Sequence, residues 1–278
     1  MRILLFIIAL FITIPASTQI FACTGFFATQ GDAALVGNNE DYFNTTQTKI
    51  VVQPPEGKKY GRLFFGFDSS TPHYGFGNFN PQGGMNEQGL FFDCFGTPPL
   101  AVTASVSKPK FKEHPFEVLL AECATVEEVI AKFNNHNLEF MKTFQLFIAD
   151  KTGQSAIIEG DKIIRKSELY QVVTNFYQSK PSFWKYPCKR YKTAIKILER
   201  SQDVSIEQFK KILEKTHVEN IKYKGRIVET LYSNIYDLRK GMVYVYYHHD
   251  FSNEIVITLK NEFIKGKRSY DLQSLFTK

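Results

Sequence analysis

Apolar residues along the chain recur with two periods, and the two alternate in blocks. Short apolar stretches bounded by turn residues predict strands. Residues 24–28 and 33–37 read as a hairpin around Gln30-Gly31-Asp32. Strands follow over 49–53 and 62–67, with Pro54-Pro55-Glu56-Gly57 turning the chain between them. A further strand covers 89–95, and Gly84, Asn86 and Gly89 read as turn residues. The pattern then changes. Phe116, Leu119, Leu120, Val126, Val129 and Phe133 follow a helical period across 113–134, with a break near Thr125. Cys123 continues that stripe and is expected in the core. Residues 144–149 and 155–159 form a second hairpin, and 163–165 and 170–174 add strands. Two amphipathic helices cover 189–200 and 205–217, the second opened by the capping box Ser205-Ile206-Glu207-Gln208. Strands over 228–236, 242–247 and 254–259 close the chain. Hairpins separated by helical pairs predict packed antiparallel sheets with helices outside.

The first 22 residues stand apart from this pattern. Arg2 is their only charge, residues 3–12 are an unbroken apolar run, and Pro15 and small residues follow. A spanning helix needs about 20 apolar residues. The run therefore reads as a signal peptide over 1–22, which leaves 23–278 as one domain exported to a secreted, periplasmic or lumenal location. Composition adds limits. The chain is 44% hydrophobic and 22% charged, which excludes wholesale disorder, and four cysteines in 278 residues exclude a disulfide-dense mini-fold. The net charge of +6 is scattered, with no footprint for nucleic acid. The 26 Phe and 14 Tyr supply a core or an apolar acyl pocket equally well. His248-His249-Asp250 reads as an exposed strand end, because adjacent residues on a strand face opposite ways. No metal and no cofactor are expected.

Position gives Cys23 its interest. It follows the expected cleavage point, so processing makes it the first residue. An N-terminal cysteine carries its thiol and its own α-amine, whose ordinary pKa of about 7.7–8.0 suits a general base near neutrality. None of the six histidines lies in a Cys/His motif of the papain-like kind, which favours a self-contained nucleophile. A rival reading remains open on the leader alone: a cysteine there is also the lipidation site of a bacterial lipoprotein, which makes the protein a lipid-anchored binding or structural one. Phe21 fits the lipidation box poorly.

Five ordered motifs bear on this choice. Cys23-Thr24-Gly25 is followed by Gly37-Asn38-Asn39-Glu40-Asp41-Tyr42, by Gly84-Met85-Asn86-Glu87-Gln88-Gly89-Leu90, by Val173-Thr174-Asn175 and by Lys189-Arg190-Tyr191. In that order they resemble the N-terminal nucleophile (Ntn) cysteine hydrolases. These are the linear amide C–N hydrolases of the choloylglycine hydrolase, penicillin V acylase and isopenicillin-N acyltransferase group. The resemblance implies an α+β fold, a four-layer αββα sandwich of mostly antiparallel sheets. It implies cleavage of a linear amide in a small-molecule acyl-amide substrate, through a thioester on Cys23, with acyl transfer as an alternative outcome. It assigns Cys23 as nucleophile, Asp41 as the group that holds its α-amine or orients its thiol, and Asn175 with the Gly96 backbone N–H as oxyanion donors. Arg190 is the charge partner that buttresses the site, and Asn38, Asn39 and Asn86 are expected close by. The family's Gly-Arg-Asn-x-Asp segment has Asn38 in place of its arginine here, and Glu40 in place of an apolar residue. These departures put bile acids and penicillin V in doubt as substrates and admit an inactive homologue. Membrane contact is expected only through the leader or a lipid anchor, and a homo-oligomer is left open.

Overall fold

The computed structural model of the chain describes residues 23–73, 75–180, 188–201 and 203–277. The expected leader over 1–22 lies outside them. The described residues form fifteen strands and five α-helices, numbered here in chain order.

One sheet has the order β10-β1-β2-β12-β13-β14, with β11 added along β12. Its strands are β1 (Thr24–Gln30), β2 (Ala33–Phe43), β10 (Tyr170–Val173), β11 (Ile221–Tyr223), β12 (Arg226–Asp237), β13 (Met242–Tyr247) and β14 (Ile255–Thr258). The other has the order β15-β3-β4-β5-β6-β7-β8-β9. It comprises β3 (Thr48–Gln53), β4 (Arg62–His73), β5 (Gly77–Asn86), β6 (Leu90–Gly96), β7 (Phe144–Asp150), β8 (Ser155–Glu159), β9 (Lys162–Arg165) and β15 (Arg268–Asp271). Every strand pair is antiparallel.

Alternation along the strands builds three apolar layers. On β6, Phe91 and Phe95 face the other sheet, whereas Leu90 and Phe92 face the helices α1 (Pro115–Glu122) and α2 (Val126–Asn134). On β1, Phe27 faces the inter-sheet core, whereas Phe26 and Ala28 face α3 (Lys189–Arg200) and α4 (Ile206–Thr216). Both sheets are thus covered on both faces, giving the four-layer αββα sandwich that the motifs implied. The aromatic supply fills these layers: Phe26, Phe27, Phe64, Phe65, Phe91, Phe92, Phe95, Phe133 and Phe147 are all fully buried. Each contributes roughly 1.5–3 kcal/mol of burial energy.

Local signals locate most elements. The break near Thr125 is the junction of two helices, where the Thr125 side chain caps α2 by accepting the Glu128 N–H at 3.2 Å. Ser205 caps α4 in the same way through the Gln208 N–H. Cys123 lies in the helix-facing core as expected. Two expectations fail. Gly84 is not a turn residue but lies inside β5, where a Cβ would sit 2.3 Å from the Leu63 carbonyl oxygen. Glycine permits that close approach. Pro81 falls where the β4–β5 register shifts, which accommodates its missing N–H. The last expected strand also ends early, and its end turns into α5 (Leu259–Ile264).

Candidate active site

The β1–β2 hairpin fixes what surrounds Cys23. Its register pairs Thr24 with Asn39 and Gly25 with Asn38, and one further step sets Cys23 across from Glu40. The Cys23 side chain joins the inter-sheet core and is 3% exposed. Its thiol donates toward Glu40 Oε1 and toward the Asp41 carbonyl oxygen, each at 3.7 Å, and its sulfur accepts the Asp41 N–H at 3.5 Å. Asp41 therefore touches the thiol through its backbone. Its carboxyl leaves on the opposite face, accepting the Thr230 hydroxyl at Oδ1 (2.5 Å) and lying 3.6 Å from an Arg190 Nη1. The expected Asp41–Arg190 pairing is thus present. The side-chain carboxyl nearest the sulfur, however, belongs to Glu40, because alternation along β2 sends neighbouring residues to opposite faces.

Electrostatics at this point are dominated by burial. The Cys23 thiol is pushed well above its ordinary range, first by burial and then by the nearby Glu40 and Asp41 carboxyls; the Asp41 N–H opposes this weakly. Glu40 is pushed up to about 8 by burial and by the charge of Asp41. The Asn38 amide opposes the shift, although it completes no hydrogen bond. Asp41 is pushed up to about 7 by burial, which outweighs the Arg190 charge and the Thr230 hydrogen bond. The thiol therefore keeps its proton near neutral pH.

Asn175 follows the other neighbour of β1. The β1–β10 register ends with Gly25 paired to Val173, and Asn175 lies two residues past the end of β10. Its Nδ2 donates to the Gly96 carbonyl oxygen at 3.0 Å, linking the two sheets and leaving its second N–H to point elsewhere. The contact recorded at Gly96 thus uses the carbonyl. The fully buried Gln145, not foreseen from sequence, donates to the Thr174 and Phe176 carbonyls and clamps the Asn175 backbone from both sides.

Asn39 and Asn86 have other work. Asn39 faces the helices, donating to the Leu213 carbonyl (3.0 Å) and Thr216 hydroxyl (3.1 Å) of α4 and accepting from Ser233 (2.6 Å). Asn86 donates to the Leu120 and Cys123 carbonyls at 2.8 Å and accepts the Gln88 and Leu90 N–H groups at 3.0 Å. It pins the end of α1 to the turn after β5, with Gly89 completing that turn at φ 76°. Asn86→Ala removes four hydrogen bonds and is expected to cost about 2–4 kcal/mol of stability, read as a shift in the urea midpoint at unchanged m. An unshifted midpoint would refute this anchoring role.

Sequence reasoning also passed over Asp93. It sits between Phe91 and Phe95 on the inter-sheet face of β6, is 1% exposed, and is pushed well above the carboxylate range by burial and by Glu40. Its signal was a lone charge inside the run Leu90-Phe91-Phe92-Asp93-Cys94-Phe95. Gly83 opposite makes room for it: a Cβ there would lie 2.3 Å from Asp93 Oδ2.

The fold has solved counterparts. A mutant of the conjugated bile acid hydrolase from Clostridium perfringens superposes with a TM-score of 0.65 at 17% identity, over 90% of this chain and 96% of that one. The penicillin V acylase from Agrobacterium tumefaciens gives 0.66 at 17% identity, over 90% of each chain. These likenesses establish the fold. Among curated proteins none matches the sequence. The sequence profile described as acyl-coenzyme A:6-aminopenicillanic acid acyl-transferase matches residues 28–251, most of the chain, and the protein belongs to that family.

Proposed function

We propose that the protein is an exported enzyme that cleaves a linear amide through the thiol of Cys23, freed as the N-terminal residue. The observation that carries this reading is the setting of one buried sulfur: it accepts the Asp41 N–H at 3.5 Å, the Glu40 carboxyl lies 3.7 Å from it, and β1 runs between β2 and β10, the strand that leads into Asn175. The family membership and the fold shared with an amide hydrolase and an acylase support it.

In this reading the Cys23 sulfur attacks the amide carbonyl carbon while the α-amine takes the thiol proton. The oxygen becomes an oxyanion that the free N–H of Asn175 meets, joined by the Gly96 N–H. Collapse expels the amine, which leaves with the proton held by the α-ammonium, and a thioester remains. Water, deprotonated by the same α-amine, then releases the acid and restores the thiol; an amine in place of water gives acyl transfer. Asp41 and Arg190 hold the backbone around the sulfur in place. Asn175→Ala is expected to lower kcat by about 10²–10³-fold, the loss typical of one oxyanion donor, measured by steady-state kinetics on a cleavable acyl amide. An unaltered kcat would remove Asn175 from this role.

Intact mass and N-terminal sequencing of the exported protein test the reading, followed by a screen of acyl amides. A free Cys23 terminus with turnover supports it. A diacylglycerol adduct on Cys23 overturns it in favour of a lipid anchor. Bile acids and penicillin V are not carried over, because Asn38 and Glu40 change the charge beside the nucleophile.

A further inference from the structure

Beside the Cys23 thiol lies a set of buried polar groups that the proposed chemistry does not use. Asn38 and Glu40 project from β2 into the inter-sheet core; Tyr232 and Asn234 pair with them from β12, Glu40 with Tyr232 and Asn38 with Asn234. Asp93 meets them from the other sheet, near enough for its charge and that of Glu40 to act on each other and on Tyr232. All five residues are at least 98% buried. Glu40 Oε2, Asp93 Oδ1, both amide atoms of Asn38, Asn234 Oδ1 and the Tyr232 hydroxyl have no hydrogen-bond partner. Native interiors pair such groups, because each one left unpaired costs about 1–3 kcal/mol. The unpartnered atoms are mostly acceptors and two of the groups are acids. Among the described residues neither Glu40 nor Asp93 forms an ion pair with a basic side chain, and Arg190 is engaged with Asp41.

We propose that this cluster is a cation subsite of the active centre: it takes a protonated amine carried by the substrate within a few bonds of the scissile carbonyl. The inference rests on the hydrolase reading and names its substrate class. An ammonium supplies three N–H donors and one positive charge, which match the unpartnered oxygens and favour loss of the protons that burial keeps on Glu40 and Asp93. An anionic substrate would find no positive charge to pair with in this buried site. The geometry sets the reach: Glu40 Oε1 lies 3.7 Å from the attacking sulfur, so a cation on Glu40 stands next to the reacting carbon. Asn38 and Glu40 are also the two departures from the family pattern. Together they leave the sulfur beside an acid and a neutral amide where the pattern has an arginine and an apolar residue.

Two arms of substrates test the proposal and place the cation. One varies the leaving amine on a hexanoyl amide: 1,2-diaminoethane, ethanolamine or glycine. The other varies the acyl part of an anilide: 3-aminopropanoyl or butanoyl. The cationic member of at least one arm is expected to exceed its neutral partner by about ten-fold or more in kcat/KM, with the glycine amide poorest. Glu40→Gln and Asp93→Asn are expected to bring the ratio toward one. Calorimetric binding to the Cys23→Ala protein separates the two readings. Cation-selective binding without turnover in the parent protein upholds the subsite and counts against the hydrolase. Turnover of neutral and cationic amides at equal rates upholds the hydrolase and overturns the subsite, as does a preference for the glycine amide. Neither selectivity nor turnover overturns both.

Discussion

Cys23→Ala is expected to lose amide turnover by on the order of 10⁴-fold or more while the protein stays folded. The proposed chemistry has no second nucleophile to fall back on. The other described cysteines lie elsewhere: Cys94 and Cys123 pack in the helix-facing core, and Cys188 precedes α3. The fold tolerates the change because the lost atom is small. The sulfur makes two weak donor contacts at 3.7 Å and accepts one N–H at 3.5 Å, so its removal costs about 1–2 kcal/mol. Circular dichroism and a denaturation midpoint establish the fold, and a rate assay on the best acyl amide gives the loss. Full activity in a correctly processed Cys23→Ala protein would refute the thioester mechanism.

The second large effect is on stability against pH. Glu40 and Asp41 are carboxyls whose folded-state pKa values stand at about 8 and about 7, above the ordinary 4.5 and 3.8. The folded protein therefore holds protons that the unfolded chain has released. Stability is full below the ordinary carboxylate range and declines as the pH rises through it, and the decline flattens above the folded values. Each group contributes a slope of up to about 1.4 kcal/mol per pH unit within its window. Urea midpoints are expected to fall by several kcal/mol in equivalent free energy between about pH 5 and about pH 8. Glu40→Gln, which replaces the acid by a neutral group of the same shape, should remove a large part of that slope. Parallel profiles for the two proteins would mean that Glu40 is ionised in the folded state throughout.

These effects separate what the sequence carries openly from what only the fold reveals. Elements with a clear period were legible: the ends of α3 and β13 fall where the pattern put them, and Thr125 and Ser205 advertise their helices by capping chemistry. β5 was not legible, because its glycines, asparagines and proline are turn formers by local chemistry. The strand exists because β4 and β6 pair with it from both sides. In the site, the hairpin register alone brings residues 23 and 40 together, so the convergence of β1 and β2 was recoverable. The facing was harder. Asp41 drew attention as the motif's acid, yet Glu40 shares the thiol's face. Gln145 and Asp93 carry no motif. Gln145 matters through two backbone carbonyls 29 and 31 residues away, and Asp93 through a carboxyl on another sheet, and no one-dimensional pattern holds such contacts.

The alternation along β2 also bears on how such a protein changes over generations. Asn39 and Asp41 tie the strand to α3, α4 and β12, whereas Asn38 and Glu40 face the inter-sheet core, where Glu40 meets the Cys23 sulfur. Four consecutive residues thus serve two masters in strict rotation. Selection for a new substrate can act on one pair while the other keeps the scaffold assembled. A change at residue 38 or 40 therefore leaves the Asn39 hydrogen bonds and the Asp41–Arg190 pair in place, and its cost falls on the packing between the sheets.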